Sequence, residues 1–203
     1  MRKFVGLYAR SRYMPPIILG VVILLVLATW WAGELAPNIK DQTDRLKAQL
    51  QLATIVPLIA GTLVGLSAGS PSGELDDATP GLPRRLQLIF TLGTLLTIGL
   101  LCLVFGSRWN MRDAARILVR NLAGWGGLTL LARPFLGSSR AWMPAIAWAG
   151  ISIFSGQPHL IAYPSWAWSM QPGENRTSAL IGVALLIAGI IALVRTPFRV
   201  KTE

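Results

Sequence analysis

The sequence predicts an all-α membrane protein that crosses the bilayer several times, and three observations carry that prediction. Hydrophobic residues make up 53% of the chain and charged residues 14%, with a mean hydropathy of +0.53, far from the balance of a soluble domain. Several apolar runs approach the roughly 20 residues needed to cross about 30 Å of hydrocarbon. The net charge of +10 is spread over the edges of those runs instead of one basic face, which reads as membrane topology and excludes a nucleic-acid footprint. The 203 residues hold six crossings with short loops and leave no length for a second soluble domain.

Residues 1–13 are too polar to insert. Phe4, Leu7 and Tyr8 fall near helical spacing beside Arg2, Lys3, Arg10 and Arg12, the pattern of an amphipathic helix lying on an anionic membrane surface. A signal peptide is the rival reading, countered by the long apolar core that follows and the poor cleavage site at Ala32-Gly33-Glu34. Met14-Pro15-Pro16 separates this segment from the first expected span, residues 17–32, which Trp30-Trp31 closes as an interfacial aromatic belt. Residues 34–49 are polar with mixed charge, a loop or a short surface helix. The second span, residues 50–68, carries Pro57 as a kink and Gly61-x-x-x-Gly65 as a small-residue packing face.

Residues 70–85 form a polar insert between two apolar runs. Ser70 suits a helix N-cap, Pro71 the first helical position, and Glu74, Asp76 and Asp77 load the positive end of the helix dipole, while Thr79-Pro80-Gly81 stops the turn. The same residues also suit a solvated loop. Spans at 86–106 and 117–135 follow. The second of these is interrupted by Arg120, Asn121 and Arg133, with Gly124, Gly126 and Gly127 allowing close approach of another helix and Arg112, Arg116 and Arg120 sharing one face. Residues 141–155 are short for a crossing. Residues 157–177 hold Tyr163, Trp166 and Trp168 among three prolines, which suits an interfacial or re-entrant hairpin. Residues 178–194 make the last span.

With both termini cytoplasmic, the inner set is Arg2, Lys3, Arg10, Arg12, Arg84, Arg85, Arg133, Arg140, Arg195, Arg199 and Lys201. The outer set is Lys40, Arg45, Lys47, Arg108, Arg112 and Arg176, joined at some depths by Arg116 and Arg120. Eleven cations against six to eight favour this orientation, which puts the 70–85 insert in the cytoplasm.

Catalytic chemistry is not legible. His159 is the one histidine, so no HExxH zinc site or histidine-based triad is evident, no phosphate-binding GxxxxGK[ST] loop exists, and Cys102 has no partner for a disulfide. All nine acidic residues lie outside the apolar cores, against a proton or sodium relay. The polar group at membrane depth is Arg116, Arg120 and Asn121, read either as snorkelling from a helix end or as part of a pathway or helix contact. Asn175-Arg176-Thr177 matches a glycosylation sequon of little weight.

The span layout, SPSGELDDATPGLPRRL after span two, RNLAGWGGLTLLARPFLGSSRAWMP across spans four and five, and YPSWAWSMQPGENRTSALIGVALLIAGIIAL at the end resemble the type-2 permease subunits of bacterial ABC transporters, in a small six-span form. The resemblance implies half of an export pathway for an amphipathic substrate in the bacterial cytoplasmic membrane. It implies pairing with a second copy or a sister permease, and separate ATPase subunits that carry ATP and Mg. The insert between spans two and three would then be a cytoplasmic coupling helix, with Pro71, Gly73, Glu74, Leu75, Asp76 and Asp77 in the ATPase groove. The aromatic segment of Tyr163, Trp166 and Trp168 would be the outer re-entrant element. The chain is short for that family, and its fifth span is marginal. The alternative is a non-transporting immunity or scaffold subunit that binds a toxin or partner protein.

Overall fold

The computed structural model describes residues 14–38, 42–67, 82–109, 113–155 and 164–195. The expected surface helix, the coupling residues Pro71, Gly73, Glu74, Leu75, Asp76 and Asp77, and Tyr163 lie outside the described residues. Among the described residues the protein is all-helical, with six α-helices: α1 (Met14–Asn38), α2 (Gln42–Ser67), α3 (Leu82–Gly106), α4 (Ala114–Leu136), α5 (Met143–Ser155) and α6 (Arg176–Arg195). A single 3-10 turn, Trp168–Met170, precedes α6.

Four helices, α1, α2, α3 and α6, contain stretches of 18 to 21 residues long and apolar enough to cross a membrane. Their outward faces agree with a hydrocarbon solvent. On α1, Val21, Leu25, Ala28 and Ala32 form a buried stripe at helical spacing, while Leu19, Ile23, Val26 and Leu27 stand exposed. Ile89, Leu96 and Leu100 on α3 and Leu180, Val183 and Ile187 on α6 do the same. An exposed apolar surface that runs along whole helices is the mark of a membrane-spanning protein. Pro15 and Pro16 fall in the first turn of α1, where a missing N–H breaks no helical hydrogen bond.

Helix α4 is the hub, packed against α2, α3, α5 and α6. It is not among the four apolar helices because its polar and small residues face other helices instead of lipid: Arg120, Asn121, Gly124, Gly126, Gly127 and Thr129 are all buried. Contacts along its length fix direction. Ala53, Gly61 and Gly65 of α2 meet Asn121, Gly126 and Thr129 in turn, so α2 runs parallel to α4. Gly182 and Gly189 of α6 meet Arg120 and Gly127, so α6 is parallel as well. Gly106, Gly99 and Leu95 of α3 meet Ala115, Leu122 and Gly126 in the reverse order, which makes α3 antiparallel. The ends of α2, α4 and α6 and the start of α3 therefore share one end of the bundle. The starts of α4 and α6 share the other.

These parallel crossings are close because glycine removes the side chain at the contact. A Cβ on Gly61 would sit 2.7 Å from the backbone nitrogen of Gly126, and one on Gly127 would run into the backbone of Leu185 and Leu186. In lipid, where no hydrophobic drive pulls helices together, such backbone-level packing is the main attraction available. Gly93 on α3 is the contrast, since a Cβ there meets nothing within 4 Å. Gly93→Ala is expected to be neutral or to stabilise by up to about 1 kcal/mol through helix propensity, checked by thermal unfolding in detergent. At the end of α4, Gly137 takes φ 76° and ψ 167°, a positive-φ conformation suited to glycine, and its N–H donates to the Arg133 carbonyl.

Candidate functional site

The largest concentration of buried polar groups lies where residues 164–175 dip into the bundle. Two arms are tied together by the Gln171 side-chain amide, whose Nε2 donates to the Pro164 carbonyl at 3.0 Å. Between the arms, the 3-10 turn seats Trp168, Ser169 and Met170, all buried. Gly173 rests beside Asp113 at the start of α4, whereas Trp168 lies on Gly124, whose missing side chain makes room for the indole. At 1.5 Å per residue, Gly124 is about 16 Å along α4 from Asp113, so the hairpin reaches roughly half the thickness of a hydrocarbon core. Trp168 also packs on Trp125, with ring centroids 4.8 Å apart and planes tilted by 43°. Trp166 is partly exposed, and its carbonyl accepts a hydrogen bond from Trp148 Nε1 of α5 at 3.2 Å.

Arg120 holds this hairpin. Its Nε donates to Asn121 Oδ1 at 3.1 Å, one terminal nitrogen donates to the Pro172 carbonyl (3.1 Å) and Ser178 Oγ (2.7 Å), and the other to the carbonyls of Ser169 (3.2 Å) and Gln171 (2.9 Å). A guanidinium has five N–H donors, and all five are spent on neutral oxygens of the protein. No acceptor is a carboxylate, so the burial of this cation is compensated by neutral dipoles alone, those of four carbonyl oxygens and the Ser178 hydroxyl. Four of the five acceptors belong to the hairpin or to the first turn of α6.

Asn121, fully buried, completes the arrangement. Its Nδ2 donates to the Ala53 carbonyl of α2 and to the Ser169 carbonyl, each at 2.9 Å, while its Oδ1 takes the Arg120 Nε–H. Only one orientation of the amide satisfies all three bonds. Thr54 Oγ1 of α2 lies 3.0 Å from the Leu50 carbonyl and 3.2 Å from the Ser169 carbonyl, and its single proton serves one of them at a time. The Ser169 carbonyl is thus approached from α2 and twice from α4.

The three sequence-expected polar residues part company. Arg116 is a surface side chain, 70% exposed, paired with Asp113 Oδ1 at 3.0 Å. Arg120, only 8% exposed, does not snorkel to the helix end and is turned inward together with Asn121. Trp168 joins the Arg120 group, and Trp166 stays at its edge. Composition did not single out Ser178 or Asn175, and both matter here. Asn175 Oδ1 accepts the Ser178 N–H at 3.0 Å as a helix N-cap, and the Ser178 hydroxyl donates to the Asn175 carbonyl while accepting from Arg120. The sequence signal for it was Asn-x-x-Ser ahead of an apolar run.

The site can hold and position a segment of backbone. The donors of Arg120 and Asn121 are used up internally, Ser169 Oγ and Trp125 Nε1 are buried without a partner, and among the described residues no group of three or more His, Cys, Asp or Glu side chains gathers to hold a metal. No family model matches the chain, and no curated protein or solved structure matches it.

Proposed function

We propose that the chain is a six-crossing permease subunit of an ATP-driven exporter in the bacterial cytoplasmic membrane, paired with a second permease and powered by separate ATPase subunits that bind ATP and Mg. Six crossings require α4 and α5 to count as spans. Arg116 and Arg133 bracket α4 at about 26 Å, close to a hydrocarbon core, and α4 runs parallel to two apolar helices over its length. Helix α5, about 20 Å long, crosses with help from flanking residues.

The observation that carries the reading is the sorting of the two ends of the bundle. The flanks of the 68–81 connection, Ser67 and Leu82, emerge at the same end as Leu136 and Arg195, and the Arg120-held hairpin occupies the other half. An acidic connection on the arginine-rich end, opposite a docked aromatic hairpin, suits a cytoplasmic grip for an ATPase and an outer closure. The test is copurification of the tagged chain with an ABC ATPase subunit from its native membrane, and ATP-dependent transport in vesicles. Glu74→Lys with Asp76→Lys is expected to abolish both, and retention of both rules out the coupling assignment.

One observation favours the non-transporting reading: the donors of Arg120 and Asn121 are all engaged by the protein itself, which leaves them nothing to offer a passing molecule. A scaffold or immunity subunit would copurify with a toxin or partner protein and show no ATPase association.

A further inference from the structure

Pro57 is the starting point. In an α-helix the residue at position 57 donates its N–H to the carbonyl of residue 53, and proline has no N–H to give. The Ala53 carbonyl is therefore left without its helical donor at a fully buried position, where water cannot replace it. The structure fills the vacancy from another helix, because Asn121 Nδ2 donates to Ala53 at 2.9 Å. The second hydrogen of the same NH2 group goes to the Ser169 carbonyl at the tip of the hairpin. One planar amide thus bridges two backbone carbonyls on different elements, and Arg120 Nε, bonded to Oδ1, stops it from swinging. The carbonyl freed by the proline and the carbonyl that seats the hairpin are held at a fixed separation.

We propose that Asn121 is a strut coupling the backbone opening of α2 at Pro57 to the seating of the 164–175 hairpin, so that a change in α2 at Pro57 loosens the hairpin tip. Prolines inside helices are the usual sites of bending, and here the proline site and the hairpin share one side chain. Thr54, one residue from Ala53, also reaches Ser169 and adds a second link from the same turn of α2. The coupling rests on these bonds alone and holds whether or not the chain transports anything.

The test uses the purified full-length chain in nanodiscs, with Cys102→Ala to remove the native thiol and Ser169→Cys as the reporter. Ser169 is fully buried and its hydroxyl has no partner, so the exchange of oxygen for sulfur is mild. The rate of maleimide labelling reads the opening of the tip. Pro57→Ala is the decisive variant, since it restores a helical donor and Pro57 makes none of the hydrogen bonds to the hairpin. Labelling is expected to rise roughly tenfold in Pro57→Ala and in Asn121→Ala, as for the loss of one buried hydrogen bond. The double variant is expected to label no faster than either single one. A Pro57→Ala protein that labels at the parent rate, or a double variant whose effects multiply, overturns the strut. Failure of Asn121→Ala to fold leaves the Pro57→Ala comparison intact.

Discussion

Arg120→Met is expected to release the hairpin and destabilise the protein by about 3 kcal/mol. The substitution keeps a long, flexible apolar stem and removes the guanidinium donors to the carbonyls of Ser169, Gln171 and Pro172 and to Ser178 Oγ, while the Ser169 carbonyl keeps Asn121 Nδ2 and the Pro172 carbonyl keeps the Asn175 N–H. Hydrogen bonds between helices in membranes are worth about 0.6 kcal/mol each on average, so the four to the hairpin and α6 sum to about 2.4 kcal/mol, and a like amount for the bond to Asn121 Oδ1 within α4 brings the total to about 3 kcal/mol. Buried acceptors that lose their guanidinium donor add to the loss, while the desolvation cost of the buried guanidinium is recovered, and the two corrections oppose each other. Arg120→Lys should fall between, since an ammonium has three donors for five acceptors. Thermal unfolding in detergent and protease sensitivity near residue 165 measure both effects. An Arg120→Met protein as stable and as protease-resistant as the parent would remove Arg120 from its anchoring role.

Gly127→Leu carries the second large effect, expected at or above about 3 kcal/mol, the upper end of ordinary overpacking. The side chain would enter the backbone of Leu185 and Leu186, which cannot rotate away as a side-chain tip can. Helix α6 would have to leave α4, taking with it Gly189, which packs on the Gly127 carbonyl, and Ser178, which binds Arg120. Loss of monodisperse protein on size exclusion, with Gly93→Ala unaffected in the same assay, is the expected outcome. Wild-type behaviour of Gly127→Leu would mean that α4 and α6 are not in backbone contact.

The helices that face lipid were legible because lipid imposes a uniform demand: long apolar runs announced α1, α2, α3 and α6. Helix α4 was harder to read for the opposite reason. Its outward surface is small, so packing and polar bonding chose most of its residues, and hydropathy does not report either. Trp166 and Trp168 among prolines suggested an interfacial or re-entrant hairpin, since such residues suit neither a free loop nor a straight span. What seats that segment was illegible. The partners of Arg120 are mostly backbone carbonyls, which every residue carries, so no pattern of side chains marks Ser169, Gln171 or Pro172 as acceptors. The Ala53 carbonyl could have been found by reading four residues back from Pro57, but not the identity of the donor that meets it.

The acceptors that make Arg120 tolerable lie 49 to 58 residues further along the chain. During synthesis, α4 leaves the ribosome with four of the five Arg120 donors and one of the two Asn121 amide hydrogens lacking their acceptors until the hairpin and the first turn of α6 are made. At bacterial and eukaryotic elongation rates of about 5–20 residues per second, that interval is about 3–12 s. Helix α4 is thus expected to wait at the insertion machinery, or at its watery edge, and to settle in the bilayer together with the last third of the chain. A truncation ending before residue 164 should leave α4 unable to integrate, although every residue of α4 itself is present.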